Sequence, residues 1–419
     1  MKLAVVVQRY GHAINGGAEL HARYVAEHLA KHADVEVLTT CATDYVTWRN
    51  DLPPGVEQVN GVPVRRFRVK HERDPKLFGR RSDHVFEQPH SLSDELDWLD
   101  AEGPTSPALI NHLKRGGAYD YCIFLSYRYY HAYYGIRATA PRAILVPTAE
   151  RDQTIGLTMF QPIFRGVRAI MYNSHEERTM IQTVSGNEEV PSVVVGIGSD
   201  VPPHPQPARF RQKYNIGGPF AVYVGRIDEN KGCKELFEFF QGYLRDSPGR
   251  LSLVLIGNSL LPIPDHPRIC HLGFLDDADK FDAMAAADLL LMPSYFESLS
   301  MVALEAWALG RPVLANAKCD VLKGQCIRSN AGLYYETYAE FTATLGAIEQ
   351  NRWLSTGLGR NGQQFFREHY EWPVIERKYL DMFARLSKEP PPKPLEPLPG
   401  WFRRWRQNLP PAKDALAKR

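Results

Sequence analysis

Twice along the chain a short apolar run ends in a glycine-bearing turn that opens a helix-periodic segment, and no other feature limits the fold as much. Residues 3–7, Leu-Ala-Val-Val-Val, are apolar without alternation, as a strand buried on both faces requires. A polar loop bearing Gly11, Gly16 and Gly17 follows. Ala18, Ala22, Val25, Ala26 and Leu29 then recur on one helical face, and 35–40 reads as the next strand, which completes a βαβ unit. Tyr121–Leu125, Ala143–Val146 and Ala169–Tyr172 are further short apolar runs separated by segments long enough for helices. The pattern restarts with a strand at 220–225, a turn to Gly232 and a helix through Leu236, Phe240 and Leu244. Strands at 251–256, 269–272, 289–292 and 313–315 and helices across 281–286 and 302–309 continue it. The fold class is α/β, with two Rossmann-like doubly wound domains.

A length of 419 residues lets each domain bury its own core, and 44% apolar with 23% charged residues is an ordinary globular balance. Four prolines within 201–207 suit a semi-rigid linker. The expected division is a first domain over 1–200, a second over 208–370, a helix over 371–387 packing back toward the first domain, and a proline-rich basic tail over 388–419. A net charge of +2 offers no field for nucleic acid. Six cysteines without a CxxC pair argue against a structural zinc site or a disulfide framework and fit a reducing compartment. The opening apolar run is too short for a signal-peptide core, and no run approaches eighteen apolar residues. A cytoplasmic chain that does not span a membrane is the expectation.

Three segments carry chemistry. Gly16 and Gly17 join strand to helix, where the backbone can approach a phosphate, although the dinucleotide fingerprint G-x-G-x-x-G is absent. Arg226 and Lys231 flank the turn 225–232, and two cations at a helix N-terminus oppose the dipole, which invites an anion; the plainer reading pairs them with Asp228 or Glu229. Glu297 follows a strand, and Glu305 lies eight residues later inside an apolar helix, where a carboxylate needs either a surface or a partner such as a ribose diol. Asp276, Asp277 and Asp279 fit helix capping better than a metal site.

With Gly16-Gly17-Ala18-Glu19, the Gly-Arg and Lys-Gly pairs at 225–232, Ile256-Gly257, Leu272-Gly273-Phe274 and the E-x7-E spacing of Glu297 and Glu305, the chain resembles the retaining glycosyltransferases of family four. The resemblance covers residues 1 to about 386 and implies the GT-B architecture, with an acceptor domain facing a donor domain across a cleft. It implies a nucleotide-diphosphate sugar, such as GDP-mannose or a UDP-hexose, as donor substrate, with no further cofactor and no metal. Arg226 and Lys231 would bind the diphosphate and Glu305 the ribose. Glu297 would meet the transferred hexose, assisted by amides of Ser298, Leu299, Ser300 and Met301, while Gly16 and Gly17 would close over the phosphates. The product would be a glycan or lipid-linked glycan in polysaccharide or glycolipid synthesis.

Relatives often carry a histidine after the strand corresponding to Tyr121–Leu125, where this chain has Ser126 and Tyr127, and Glu150 stands at a second such place. Tyr127, Arg128, His131, Glu150 and Arg151 are the acceptor-side candidates. A basic cluster in the loop-like stretch 70–81 could meet an anionic acceptor, against the plainer reading of a solvated face. The tail 386–419 holds eight basic residues against three acidic ones, and Trp401, Phe402, Arg403, Arg404, Trp405 and Arg406 suit an anionic membrane surface, which would make the enzyme peripheral on the inner face. The rivals are a nucleotide-sugar hydrolase, a phosphorylase, for which no cofactor lysine motif exists, and a catalytically silent partner in glycan assembly.

Overall fold

A computed structural model describes residues 1–14, 16–115, 119–247, 249–393 and 395. The first domain is built on strands β1 (Lys2–Val6), β2 (Asp34–Thr40), β3 (Gly55–Val59), β4 (Val62–Phe67), β5 (Tyr121–Leu125), β6 (Ala143–Val146), β7 (Ala169–Tyr172) and β8 (Ser192–Val194). The second holds β9 (Phe220–Val224), β10 (Ser252–Ile256), β11 (Ile269–His271), β12 (Leu289–Met292), β13 (Val313–Asn316) and β14 (Gly332–Tyr335). The sheet orders are β3-β4-β2-β1-β5-β6-β7-β8 and β11-β10-β9-β12-β13-β14. Every pairing is parallel except β3 with β4, a hairpin whose Asn60-Gly61 turn has both φ angles positive, as a two-residue hairpin of matching twist needs. This hairpin has no counterpart in the sequence reading, because exposed Val56, Glu57 and Gln58 break the apolar run by which the other strands announce themselves.

Apolar strand residues are buried on both faces of each sheet by flanking helices, as a parallel sheet demands. Strand order reverses between β1 and β5 in one sheet and between β9 and β12 in the other. Chain leaving the carboxyl ends of such neighbours splays apart and leaves a crevice. The Gly16-Gly17 loop follows β1, the 225–232 turn follows β9, and Glu297 follows β12, so all three lie where a ligand crevice forms.

The chain passes between the sheets twice. Residues 195–206 form neither helix nor strand, and the Trp372–Leu386 helix returns to the first sheet, where Phe383 stacks on Tyr121 at 5.4 Å between ring centroids. The two crossings interlock through glycines: a Cβ on Gly196 would lie 2.6 Å from the Tyr370 ring, and one on Gly198 would lie 2.6 Å from the Trp372 ring. His28 also stacks on Trp372, at 3.6 Å between ring centroids, and shares Glu376 with His32. The stretch 70–81 is not a loop throughout: Asp74 accepts from the Lys76 and Leu77 amides and starts the Pro75–Glu87 helix.

Two interior histidines contribute to the acid sensitivity of the fold. His21 and His131 are 4% and 0% exposed, and burial pushes both imidazoles down to about 3. Above about pH 6.5 both states are neutral; as pH falls from there toward 3, the unfolded chain takes up two protons that the native chain refuses. Stability is therefore expected to decline by on the order of 1 kcal/mol per pH unit for each histidine. Buried carboxyls with raised pKa, Glu177 among them, act in the opposite sense over the same range, so the histidine contribution is read by comparison: the change in urea midpoint between about pH 7 and about pH 5 should be shifted toward smaller loss in His131→Leu, and an identical change in variant and wild type would contradict it.

Candidate functional site

The turn after β9 is shaped by contacts that only glycine permits. Gly232 caps the Cys233–Asp246 helix at φ 69°, and a Cβ there would fall 2.0 Å from the Pro293 carbonyl oxygen. That close approach presses the loop after β12 onto the turn and brings Lys231 Nζ to 2.8 Å from Glu297 Oε1. Burial would lower the Lys231 pKa, but Glu297 outweighs it with help from Glu150 and Asp228, so the ammonium is held charged. Arg226 pairs with Asp228, which also accepts the Lys231 amide at 2.8 Å. The sequence expectation that Asp228 neutralises these cations thus holds for Arg226 alone, and Arg226 remains half exposed at the cleft.

From Glu297 the chain reaches Ser300, which stands at φ 74° and caps the Met301–Ala308 helix, accepting from the Ala303 amide at 3.4 Å. A left-handed serine costs on the order of 1–2 kcal/mol and is found where the surroundings enforce it. Four residues past Met301, Glu305 does not lie on a solvated stripe: its side chain is 3% exposed. Its Oε1 accepts from Ser199 Oγ at 3.0 Å and from Lys280 Nζ at 3.3 Å, while Oε2 is buried without a partner among the described residues. Burial raises the Glu305 pKa, opposed by Lys280 and Ser199. One oxygen is fixed and the other is left to accept from a ligand hydroxyl.

Across the cleft, Gly16 caps the Gly17–Leu29 helix without a side-chain partner, which leaves first-turn amides available to an anion. A Cβ on Gly16 would sit 2.0 Å from Glu19 Oε2, whereas nothing lies within 4 Å of one on Gly17. Arg9 Nε donates to Glu19 at 2.8 Å and neutralises it. The Arg9 guanidinium lies over the Tyr45 ring, and that tyrosine is close enough to Arg226 to act on its charge.

The acceptor-side candidates separate. Ser126 has φ 65°, and the chain turns there so that Tyr127, 2% exposed, packs against Phe160 and Phe164 in the core. His131 is fully buried beside Tyr129. Neither faces the cleft, contrary to the expectation for both. Arg128 is bound between Glu102 and Asp152, 3.2 Å from each. Arg151 reaches across to Asp320 of the second domain at 2.8 Å, and Glu150 is half-buried within electrostatic reach of Lys231 and Glu297. A cavity between the domains is lined by Ala149, Arg151, Glu177, Glu297, Cys319 and Asp320.

Asp276 caps the Asp277–Ala286 helix through the Asp279 amide at 2.8 Å. In the basic cluster Arg73 is a core residue, paired with Glu102 at 2.7 Å and stacked on Trp48 and Phe78, and Arg81 lies 3.5 Å from Asp97, which leaves Lys70, His71, Lys76 and Arg80 as its exposed members. Ser199, Lys280 and Glu177 belong to the site although no motif marks them.

Residues 218–347 match the family model described as glycosyl transferases group 1. Among curated proteins, a D-inositol 3-phosphate glycosyltransferase of Corynebacterium efficiens is 33% identical over 217 residues, 46% of this chain and 51% of that protein. The chain thus spans about half the length of that relative, and 36% of the one from Nocardia farcinica. Among solved structures, sucrose-phosphate synthase from Thermosynechococcus elongatus covers 92% of this chain and 99% of its own at a TM-score of 0.67 and 17% identity. Anabaena HepE in complex with UDP-glucose covers 92% and 100% at 0.63 and 17%. The two-domain fold matches these structures and is the GT-B architecture.

Proposed function

We propose that the protein is a retaining glycosyltransferase of family-four type, moving a hexose from a nucleoside-diphosphate sugar to a glycan or lipid-linked glycan. The observation that carries this is the Lys231–Glu297 pair at the switch point of the second sheet, beside Arg226 and a buried Glu305 with one open oxygen. Breaking the bond between the sugar and the diphosphate leaves negative charge on the departing β-phosphate. Lys231 and Arg226 are fixed cations poised to stabilise that charge more than the ground state, which is how a site lowers a barrier. Gly17 and the first amides of its helix close the anion site from the other domain. Glu305 receives the ribose hydroxyls, and Glu297, oriented by Lys231, receives the hexose. The bond made runs from the sugar's anomeric carbon to an acceptor hydroxyl, whose proton leaves with the phosphate.

Because side-chain cations supply the charge, transfer in this reading needs no metal ion. Among the described residues no helix is long and apolar enough to cross a membrane. The basic aromatic segment 400–409 lies outside the described residues. The chain leading to it is bound to the first domain, where Arg168 donates to the carbonyl groups of Leu386, Glu389 and Pro390 and Leu395 covers Gly166. A membrane contact by the tail, included in the proposal, would therefore present that domain to a lipid-linked acceptor.

A thermal-shift screen with UDP-hexoses and GDP-mannose, followed by turnover of the most stabilising donor, tests the reading. A donor at about 100 times its Kd adds about 2.7 kcal/mol of stability. Turnover is expected to survive excess EDTA. No stabilisation by any nucleotide sugar would overturn the reading, and activity lost to EDTA and restored by magnesium would overturn its metal-independent form.

A further inference from the structure

We propose that Glu177 is a positioning residue, holding the turn after β6 so that Glu150 faces the Lys231–Glu297 pair across the cleft. This rests on the functional reading above and adds to it a residue that no motif marks. Glu177 lies in the first turn of the His175–Ser185 helix and is 1% exposed. Instead of serving its own helix it joins the ends of two adjacent strands: Oε1 accepts from the Ala149 amide after β6 at 2.6 Å, and Oε2 from the Asn173 amide after β7 at 2.5 Å. Its own amide donates to Ser174 Oγ at 3.1 Å, which fixes where the helix starts.

The residue type follows from this geometry. Two amide donors converge on one side chain, and a carboxylate offers two acceptors where glutamine offers one acceptor and one donor. Burying a carboxylate is expensive: burial pushes the Glu177 pKa up, with the nearby Glu150 adding to the rise, and the amides of Asn173, Ala149 and Ser174 pull it back toward the ionised form that can accept from both converging donors. The clamp also explains Thr148, which stands at φ 48° although it is β-branched. Such a backbone costs on the order of 1–3 kcal/mol and persists only where its neighbours determine it; here the next amide is tied down by Glu177. Glu150 comes directly after that tied amide. Its neighbours Ala149 and Arg151 line the interdomain cavity together with Glu297, and its carboxyl, raised by burial, lowered by Lys231 and raised by Glu297, is within electrostatic reach of the pair that the proposed reaction uses.

The test compares Glu177→Gln, Glu150→Gln and the double variant, using the nucleotide sugar that stabilises the wild type most and its free nucleoside diphosphate. Glu177→Gln should leave the nucleoside-diphosphate Kd within about twofold, because Arg226, Lys231 and Glu305 lie on the other domain and the Gly17 turn is not tied to Glu177, and lower turnover at saturating donor at least about tenfold. The double variant should be no slower than the slower single one, as for residues acting as a unit. Losses that multiply, or nucleotide affinity falling in step with turnover, would overturn the proposal. If Glu177→Gln folds poorly, adding Thr148→Gly, which tolerates the left-handed turn, should restore stability but not turnover; restored turnover would also overturn it. If the wild type turns over no nucleotide sugar, the functional reading falls, and hydrogen exchange decides the clamp by itself. Faster exchange at 147–152 in Glu177→Gln would support it, and unchanged exchange would overturn it.

Discussion

Lys231→Ala is expected to lower kcat/KM by about two to three orders of magnitude, the loss of about 3–4 kcal/mol typical when a preorganised charge contact to a transition state is removed. Two features make Lys231 the more sensitive of the two cations. It is the less exposed, at 32% against 49% for Arg226, so water replaces it less well. It also orients Glu297 at 2.8 Å, so its loss removes a charge and frees the carboxylate that would meet the sugar. Arg226, already paired with Asp228, should cost less, about one to two orders. Folding should change little, because each pair opens onto the cleft and such pairs contribute about 1 kcal/mol or less. Steady-state kinetics with thermal melts of the same samples separate the effects. Adding Glu297→Gln to Lys231→Ala should lose less than the product of the single losses, since the two act as one device. Turnover within about threefold of wild type in both alanine variants would remove the cations from the mechanism.

How legible a feature is in the sequence depends on the distance along the chain over which it is encoded. A strand buried on both faces and a helix with one apolar face are written in consecutive residues, so β1, β5, β6 and β7 and the Gly17–Leu29 helix were legible to within a residue or two at their ends. Arg226, Lys231, Glu297 and Glu305 were legible for a similar reason, each pair lying in one turn or one loop-and-helix segment. Ser199 was not, because its hydrogen bond to Glu305 joins residues 106 apart in the chain and a lone serine after a glycine signals nothing. The acceptor side failed in a particular way. Tyr127, just beyond a strand end, is an acceptor-side candidate by position, but the left-handed step at Ser126 sends it into the Phe160 and Phe164 cluster, and a serine there gives no warning of a positive φ. Arg73 likewise counted as one more surface cation until Trp48, Phe78 and Glu102, distant in sequence, enclosed it.

Glu305 and Glu297 should part in calorimetry and kinetics, and the structure supplies the reason. Glu305 is oriented before any ligand arrives: Ser199 and Lys280 hold one oxygen, and the buried second oxygen would accept from a ribose hydroxyl in ground state and transition state alike. Interactions equal in both states set affinity and leave the barrier alone. Glu305→Ala is therefore expected to weaken nucleoside-diphosphate binding by about 10- to 100-fold, the range for a hydrogen bond to a charged group. That variant also strips Ser199 and Lys280 of a buried acceptor. Glu305→Gln, which can keep an oxygen toward Ser199, separates lost binding from lost packing and should weaken binding less. Glu297 is held instead by Lys231 in the lining of the interdomain cavity, and in the proposed reaction the charge it faces changes as the sugar leaves the diphosphate. Glu297→Gln should leave nucleoside-diphosphate affinity within about twofold and lower turnover at saturating donor by about two orders of magnitude, the mark of an interaction realised in the transition state. If Glu297→Gln abolished nucleotide binding while Glu305→Ala spared it, the two carboxylates would have exchanged places, and the ribose would have to lie against Lys231 rather than beside Ser199.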